Sequence, residues 1–209
     1  EPFVGGANMI DKVNGNRIGS DVNKYLIEAL IAIKDDVHLL PKNNQEFTEN
    51  DYNTLKLSDD YKYKGYAGFA FSYSGKWLGG WCRDGLNKRD YVAEAYKNAL
   101  KQSSYLKGIA FINSSYELLQ IPDKSIIYCD PPYKNTTAYK TNLFDHDKFW
   151  QWVREKTNEG HTVFVSEYTA PDDFECVWQK EIVSSLTKNT GSKTGIDKLF
   201  IYKATRWVL

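Results

Sequence analysis

Four residues, Asp130-Pro131-Pro132-Tyr133, constrain the fold more than any other stretch, because they end an apolar run abruptly. Ser125 to Cys129, Ser-Ile-Ile-Tyr-Cys, has the composition of a buried strand. Two consecutive prolines fix φ and remove two N–H donors, so neither a helix nor a central strand runs on through them. A buried strand that stops at a rigid, acceptor-rich turn fits an open α/β sheet, where ligands bind beyond the carboxyl ends of strands.

The rest of the chain alternates in the same sense. Asn16 to Gly19 reads as a short strand ending near Ser20-Asp21, followed by helical spacing from Val22 to about Ile33. Tyr91 to Leu106 is a helix stopped by Gly108, and Ile109 to Ile112 is a short strand. Asp145 to about Glu159 is amphipathic, with Phe149, Trp152 and Val153 on its inner face and Gly160 as its stop. Thr162–Val165, Cys176–Val183 and Lys198–Tyr202 read as further strands, giving a mostly parallel sheet. Residues 35–60 read as irregular. Ala67 to Tyr73 alternates Phe69, Phe71 and Tyr73 on one face, so 36–90 is expected to be a compact β-rich insertion between 1–35 and 91–209.

Composition excludes several classes. The 209 residues allow one domain with a sizeable core, and 42% hydrophobic with 26% charged residues suits a soluble protein. No apolar run is long enough to span a bilayer. Cys82, Cys129 and Cys176 are odd in number and widely spaced, and His38, His146 and His161 make no ligand spacing. Neither a disulfide framework nor a metal site is expected, and a reducing cytoplasm fits. Formal net charge is zero, which argues mildly against a purely electrostatic nucleic-acid binder. Charge is uneven, however. From Tyr61 to Lys107 nine basic residues stand against three acidic ones, interleaved with aromatics, and that pattern favours nucleic acid.

The turn itself implies a chemistry. An Asp carboxylate beside a Pro carbonyl offers two acceptors to the hydrogens of an amine. The exocyclic amine of a nucleobase shares its lone pair with the ring and is a poor nucleophile. Gripping both hydrogens favours the pyramidal geometry that frees the lone pair. A duplex base must also be extruded, and Tyr133 is placed to stack on it, an interaction worth roughly 1–3 kcal/mol per base.

Asp130-Pro131-Pro132-Tyr133 after an apolar strand resembles the catalytic motif of amino-methyltransferases that act on DNA. Glu1-Pro2-Phe3-Val4-Gly5-Gly6 resembles their cofactor motif. The order of the two, with an insertion between, is similar to the Dam-type (D12 class) adenine-N6 methyltransferases, phage-borne members above all. Ile18-Gly19-Ser20-Asp21-Val22-Asn23, Phe111-Ile112-Asn113-Ser114-Ser115-Tyr116, Ser166-Glu167-Tyr168 and Lys198–Lys203 are similar too. The resemblance implies a Rossmann-like S-adenosylmethionine-dependent methyltransferase sheet with a small target-recognition insertion. It implies a cofactor held by Glu1, Pro2, Phe3, Gly5, Gly6, Asp21, Val22, Ser115 and Asp130, with Asp21 accepting the ribose hydroxyls. An ionised carboxylate is an acceptor-only group suited to a diol, although Asp21 also suits a helix N-cap. Attack on the methyl carbon is direct, with no covalent enzyme intermediate and no metal. Two positions depart from the pattern: Ala7 stands where a spaced Gly is common, and Ser115 where an Asp often contacts the cofactor adenine. The chain opens at Glu1 without an initiator Met, and family members carry an upstream Gly- and Lys-containing stretch, so an upstream segment is expected.

For double-stranded DNA, expected to be bound by a monomer, the candidate contacts are Lys76, Arg83, Lys88, Arg89, Lys134, Tyr139 and Lys140. The loop from Lys134 to Phe144 reads either as a cover over an extruded base or as a passive connection. Gly191-Ser192-Lys193-Thr194 lacks the spacing of a phosphate-binding loop. The same catalytic motif serves cytosine N4, RNA bases and protein glutamine. A second class of reading is a non-catalytic DNA-binding remnant.

Overall fold

Four helices begin where a short polar side chain receives an orphan main-chain hydrogen. Asn23 accepts from Tyr25 N (3.1 Å) to start α1 (Lys24–Asp35). Thr48 and Asp51 form a reciprocal capping box for α2 (Glu49–Leu55). Asp90 accepts from Ala93 N (2.8 Å) before a helix over Tyr91–Leu106, and Asp145 from Lys148 N (2.9 Å) before one over His146–Asn158. A shorter helix, α3 (Lys64–Ala70), makes the later two α4 and α5. The computed structural model describes residues 1–59, 61–84, 86, 88–134, 144–183 and 194–204. They divide into two units, Val4–Tyr116, and Glu1–Phe3 with Glu117–Leu209. No helix among the described residues is long and apolar enough to cross a membrane.

In the N-terminal unit, β1 (Arg17–Asp21) and β2 (Ile109–Asn113) pair in parallel, from Arg17 opposite Ile109 to Asp21 opposite Asn113. Ile27, Leu30 and Ile33 of α1 are buried with Val92, Ala99 and Leu106 of α4 in one core. Arg17 donates to the carbonyls of Tyr105 (3.2 Å) and Lys107 (2.7 Å), so a cation closes the carbonyl end of α4.

The expected β-rich insertion is not what forms. Within 36–90 the described residues hold α2, α3 and short 3-10 turns, and the sole strand-like pairing among them is a bridge between Ser72 and Trp81. The alternation of aromatics failed because they do not share a face: Phe71 is buried while Tyr73 is 66% exposed. Backbone approach decides for helix instead. A Cβ on Gly65 would stand 2.1 Å from the Tyr25 carbonyl oxygen of α1, and one on Gly68 would stand 2.3 Å from the Trp77 ring. Trp77 in turn stacks on Tyr25, with ring centroids 4.3 Å apart. Only glycine lets α3 lie this close to α1.

In the C-terminal unit, β3 (Ile126–Cys129), β4 (Thr162–Glu167), β5 (Phe174–Val183) and β6 (Thr194–Tyr202) form one sheet in the order β3-β4-β6-β5. Only β3 and β4 are parallel, while β4–β6 and β6–β5 are antiparallel. The expected mostly parallel sheet is therefore corrected to a mixed one. The antiparallel register of β5 and β6 runs from Phe174 opposite Tyr202 to Val183 opposite Thr194. Cys129, Val165 and Phe200 lie abreast and buried. The apolar side of α5 buries Phe149, Trp150, Trp152 and Val153, and Trp150 packs on Phe174 at 4.5 Å.

The packing of α3 gives a direct test. Ala for Gly in a helix gains about 1 kcal/mol of propensity, whereas forcing a methyl into a filled space costs about 1–3 kcal/mol. With backbone as the obstacle at Gly65, the second effect wins. Gly65→Ala is expected to lower the unfolding midpoint in urea, and a higher midpoint would show that α3 is not held against α1 this closely.

Candidate functional site

The Asp130–Tyr133 turn lies at the carboxyl end of β3, where an α/β strand presents its ligand. Two anchors hold it to β4. Glu167, 2% exposed, accepts from Lys134 N (2.7 Å) through one oxygen and from Tyr168 N (2.6 Å) through the other. A buried carboxylate is costly unless it is hydrogen-bonded, and here both oxygens are served by main-chain donors. Ser166, also buried, shares a 2.5 Å hydrogen bond with the Tyr133 hydroxyl. The Tyr133 ring meets Tyr168 edge-on at 4.7 Å, so its plane is set by both its rim and its hydroxyl.

Asp130 is open to solvent on one side, yet its carboxyl sits above the ordinary aspartate range. The atoms crowded round it are the main cause. The neighbouring Tyr133 hydroxyl works the other way, and the negative charges of Asp197 and Glu167 add to the rise. Tyr133 is pushed up, first by burial, and stays a phenol that can donate. Burial likewise raises the Cys129 thiol, which makes it a packing residue and not a nucleophile. Glu1 is close enough to Cys129 and Tyr128 to act on both. Phe3 packs edge-on against Phe149 at 5.6 Å and Phe144 at 5.8 Å. Glu1, Pro2, Phe3, Asp130, Pro131, Pro132, Tyr133 and Lys134 thus all belong to the C-terminal unit.

Gly5, Gly6, Asp21, Val22 and Ser115 belong to the N-terminal unit. Gly5 has φ +46° and nothing within 4 Å of where a Cβ would be. Ala7, at φ +59° and fully buried, occupies a conformation that favours glycine. Asp21 ends β1 and accepts from Asn23 N (2.9 Å) through Oδ1, while Asn23 and not Asp21 caps α1. Its second oxygen has no partner among the described residues, and Val22 beside it is 72% exposed. An available acceptor at a strand's carboxyl end and an open glycine turn are compatible with a diol-bearing cofactor. The Asp21 carbonyl is meanwhile held by Asn113 Nδ2 (2.8 Å) and Ser114 N (3.2 Å), which ties the ends of β1 and β2 together next to Ser115.

Of the cationic candidates, Lys76, Lys88 and Lys134 are exposed and make no ion pair among the described residues. Arg83 is paired with Glu49, and Arg89 holds Glu94 through two hydrogen bonds of 2.9 and 2.5 Å. A cleft of about 270 Å³ lies between Thr48, Glu49, Trp81, Arg83 and Arg89. Lys64 is buried and tied to Asp59, and Lys62 to Asp36, so the basic stretch offers fewer open charges than its composition implies. Tyr139 and Lys140 lie outside the described residues. No group of metal-ligating side chains occurs among the described residues. Sequence reasoning assigned no role to the supports of the turn, Ser166, Glu167 and Tyr168. The compact string Ser166-Glu167-Tyr168 at the end of an apolar strand was their only visible trace. No protein-family model matches the chain, and no curated protein matches it.

Glu167 can be tested locally. Each buried donor left without a partner costs about 1–3 kcal/mol. Glu167→Ala is expected to speed hydrogen exchange at the Lys134 and Tyr168 amides far more than at the core of α4. Unchanged protection at those two amides would remove Glu167 as the anchor.

Proposed function

We propose that this chain is a DNA methyltransferase acting on adenine N6, with a Rossmann-like sheet and S-adenosylmethionine as methyl donor. The observation that carries the reading is the Asp130–Tyr133 turn: a solvent-facing carboxylate beside a proline pair at the end of a parallel strand, braced by Ser166 and Glu167. Such a turn has the rigidity that amine chemistry requires, because the acceptors must be in place before charge develops.

Bound S-adenosylmethionine supplies an electrophilic methyl carbon. Glu1, Pro2, Phe3, Gly5, Gly6, Asp21, Val22, Ser115 and Asp130 are the residues that would hold it, with Asp21 as the acceptor for a diol. The chain's own part is to orient the amine. Asp130 and a carbonyl of the proline pair accept the two amine hydrogens, which directs the nitrogen lone pair at the methyl carbon. A methyl group delivered to that nitrogen would leave the amine one proton to lose, for which the Asp130 carboxylate is the acceptor at hand. Tyr133, its ring plane fixed by Ser166 and Tyr168, serves as the stacking surface for an extruded base. The preference for adenine and for DNA rests on the resemblance of the motifs. The exposed Lys76 and Lys88 and the arginines at 83 and 89 support a nucleic-acid partner, with 36–90 as the recognition region.

Duplex DNA incubated with methyl-labelled cofactor is expected to gain label on adenine N6. Asp130→Ala should reduce this by at least about 10²-fold, the usual loss when a transition-state partner is removed. Equal labelling by both proteins would deny Asp130 its role.

DNA affinity should also depend on salt through the open lysines. Replacing both Lys76 and Lys88 by Gln is expected to lower the slope of log affinity against log salt by roughly 0.9 for each phosphate that is no longer neutralised. A slope identical to that of the wild type would take both residues out of the interface.

A further inference from the structure

The cleft of about 270 Å³ in the N-terminal unit has Asn44, Glu49, Trp81, Arg83, Asp84 and Arg89 among its lining residues. Its walls are fixed in advance. Trp81 is pinned through its backbone, by a bridge to Ser72 and by Cys82 N donating to the Phe71 carbonyl (2.9 Å). Its ring packs on Phe47, Tyr52 and Phe71 at centroid distances of 6.5, 5.6 and 6.1 Å. Arg83 donates through Nη2 to Glu49 Oε1. The other Glu49 oxygen and the remaining Arg83 nitrogens have no partner among the described residues. Arg89 is held by its two bonds to Glu94 and stands 4.6 Å from the centre of the Tyr91 ring. The lining thus sets donors and acceptors side by side next to an indole.

We propose that this cleft binds an unpaired guanine base, with Trp81 as the stacking wall, Glu49 accepting the N1 and N2 hydrogens and Arg83 donating to O6 and N7. Charge argues against a bare anion. Arg83 and Arg89 are matched within the lining by Glu49 and Asp84, so a phosphate would meet both signs. The volume is just under the roughly 300–1,000 Å³ of pockets for drug-sized ligands, which suits one ring system and no peptide segment. Among nucleobases, guanine alone presents two neighbouring donors to a carboxylate and two neighbouring acceptors to a guanidinium. These four groups follow one another along a single edge of the ring, as guanidinium and carboxylate do in the Arg83–Glu49 pair. In a duplex, cytosine covers the donors and the major groove shows O6 and N7 alone. A guanidinium would suffice there, and a carboxylate beside it would find no donor. The pair therefore fits a guanine that has left its partner. Exposed Lys88 adjoins Arg89 in the chain, and its N–H is bonded to Asp84 Oδ1 (3.0 Å), so a cation is at hand for the phosphate of the same nucleotide.

The inference deepens the reading of 36–90 as a nucleic-acid recognition region and rests on it for the source of the base, a strand and not a free nucleotide. Its test needs no methyl transfer. The indole N–H of Trp81, assigned in an NMR spectrum by its loss in Trp81→Phe, reports occupancy of the cleft. Guanosine monophosphate is expected to shift it saturably. Inosine monophosphate, which lacks the N2 amine, and adenosine monophosphate should bind at least about tenfold more weakly, the equivalent of one hydrogen bond to a charged group. Glu49→Gln, which keeps the shape but halves the acceptors, should narrow the preference for guanosine over adenosine monophosphate by about tenfold. An oligothymidylate carrying one guanine should displace guanosine monophosphate, and the same guanine paired with cytosine should not. An indole signal unmoved by guanosine monophosphate, a signal moved equally by adenosine monophosphate or inorganic phosphate, or a preference untouched in Glu49→Gln overturns the proposal, even in a protein that methylates DNA. Selective guanosine monophosphate binding that the oligonucleotide fails to displace upholds the guanine cleft and rejects a strand as its source. Selective binding in a protein that methylates nothing upholds the cleft and rejects the methyltransferase reading instead.

Discussion

The carboxylate of Glu167 receives main-chain hydrogens from two directions, Lys134 just beyond the proline turn and Tyr168 just beyond β4. A proline pair is rigid within itself but offers no N–H with which to tie down its surroundings. Something else must fasten the turn to the sheet, and a side chain with two acceptor oxygens is the economical answer. Burying that charge is unfavourable in isolation. Charge-assisted bonds to two amides offset the cost and, because they are geometrically demanding, they also specify where the turn stands. The positions of Asp130 and Tyr133 depend on this fastening.

The N-terminal unit achieves precision by the opposite means, through absent atoms. Gly65 and Gly68 remove side chains where α3 meets the backbone of α1 and the ring of Trp77. Aromatic residues then fill the remaining space around α2 and α3. Phe47, Tyr61, Phe71 and Trp81 pack at centroid distances of 5.1 to 6.5 Å from one another where they touch. Within that cluster Tyr52 is wholly buried, shares a hydrogen bond with Ser72 and accepts from Gly80 N. The segment is thus a small aromatic core, with Lys76, Arg83, Lys88 and Arg89 exposed at its surface.

Element boundaries set by strong local punctuation were legible in the sequence. Tyr91–Leu106 is flanked by a capping Asp and a glycine with φ +76°, and the helix occupies those residues. The apolar run before the prolines became β3 for similar reasons. What was not legible depends on approaches between distant residues. The helical state of 64–70 follows from the backbone of α1, some forty residues earlier in the chain, and no local alternation of aromatics carries that information. The relative direction of β5 and β6 is a matter of pairing between strands, which periodicity within one strand does not report. At the site, the turn announced itself through its prolines. The bracing by Ser166 and Glu167 is a pairing across 33 positions, and neither residue type is unusual at a strand end.

Charge shows the same division between composition and structure. The stretch from Tyr61 to Lys107 is rich in cations, but Lys62, Lys64, Arg83 and Arg89 each already hold a carboxylate. The exposed pairs of Lys62, Arg83 and Arg89 are worth little to stability, about 0–1 kcal/mol, so a phosphate can displace their carboxylates at small expense. The structural contribution of the arginine pairs is to hold a guanidinium at a defined place until then. Lys76 and Lys88, with no such partner among the described residues, are free to follow a phosphate over the whole reach of their side chains. For a polyanionic partner this gives two kinds of interaction. Unpaired lysines supply attraction from many approaches, while arginines held in place by glutamates respond only when the backbone arrives in register. On the proposed reading, a chain of zero net charge would engage DNA through the arrangement of its open cations and not their sum.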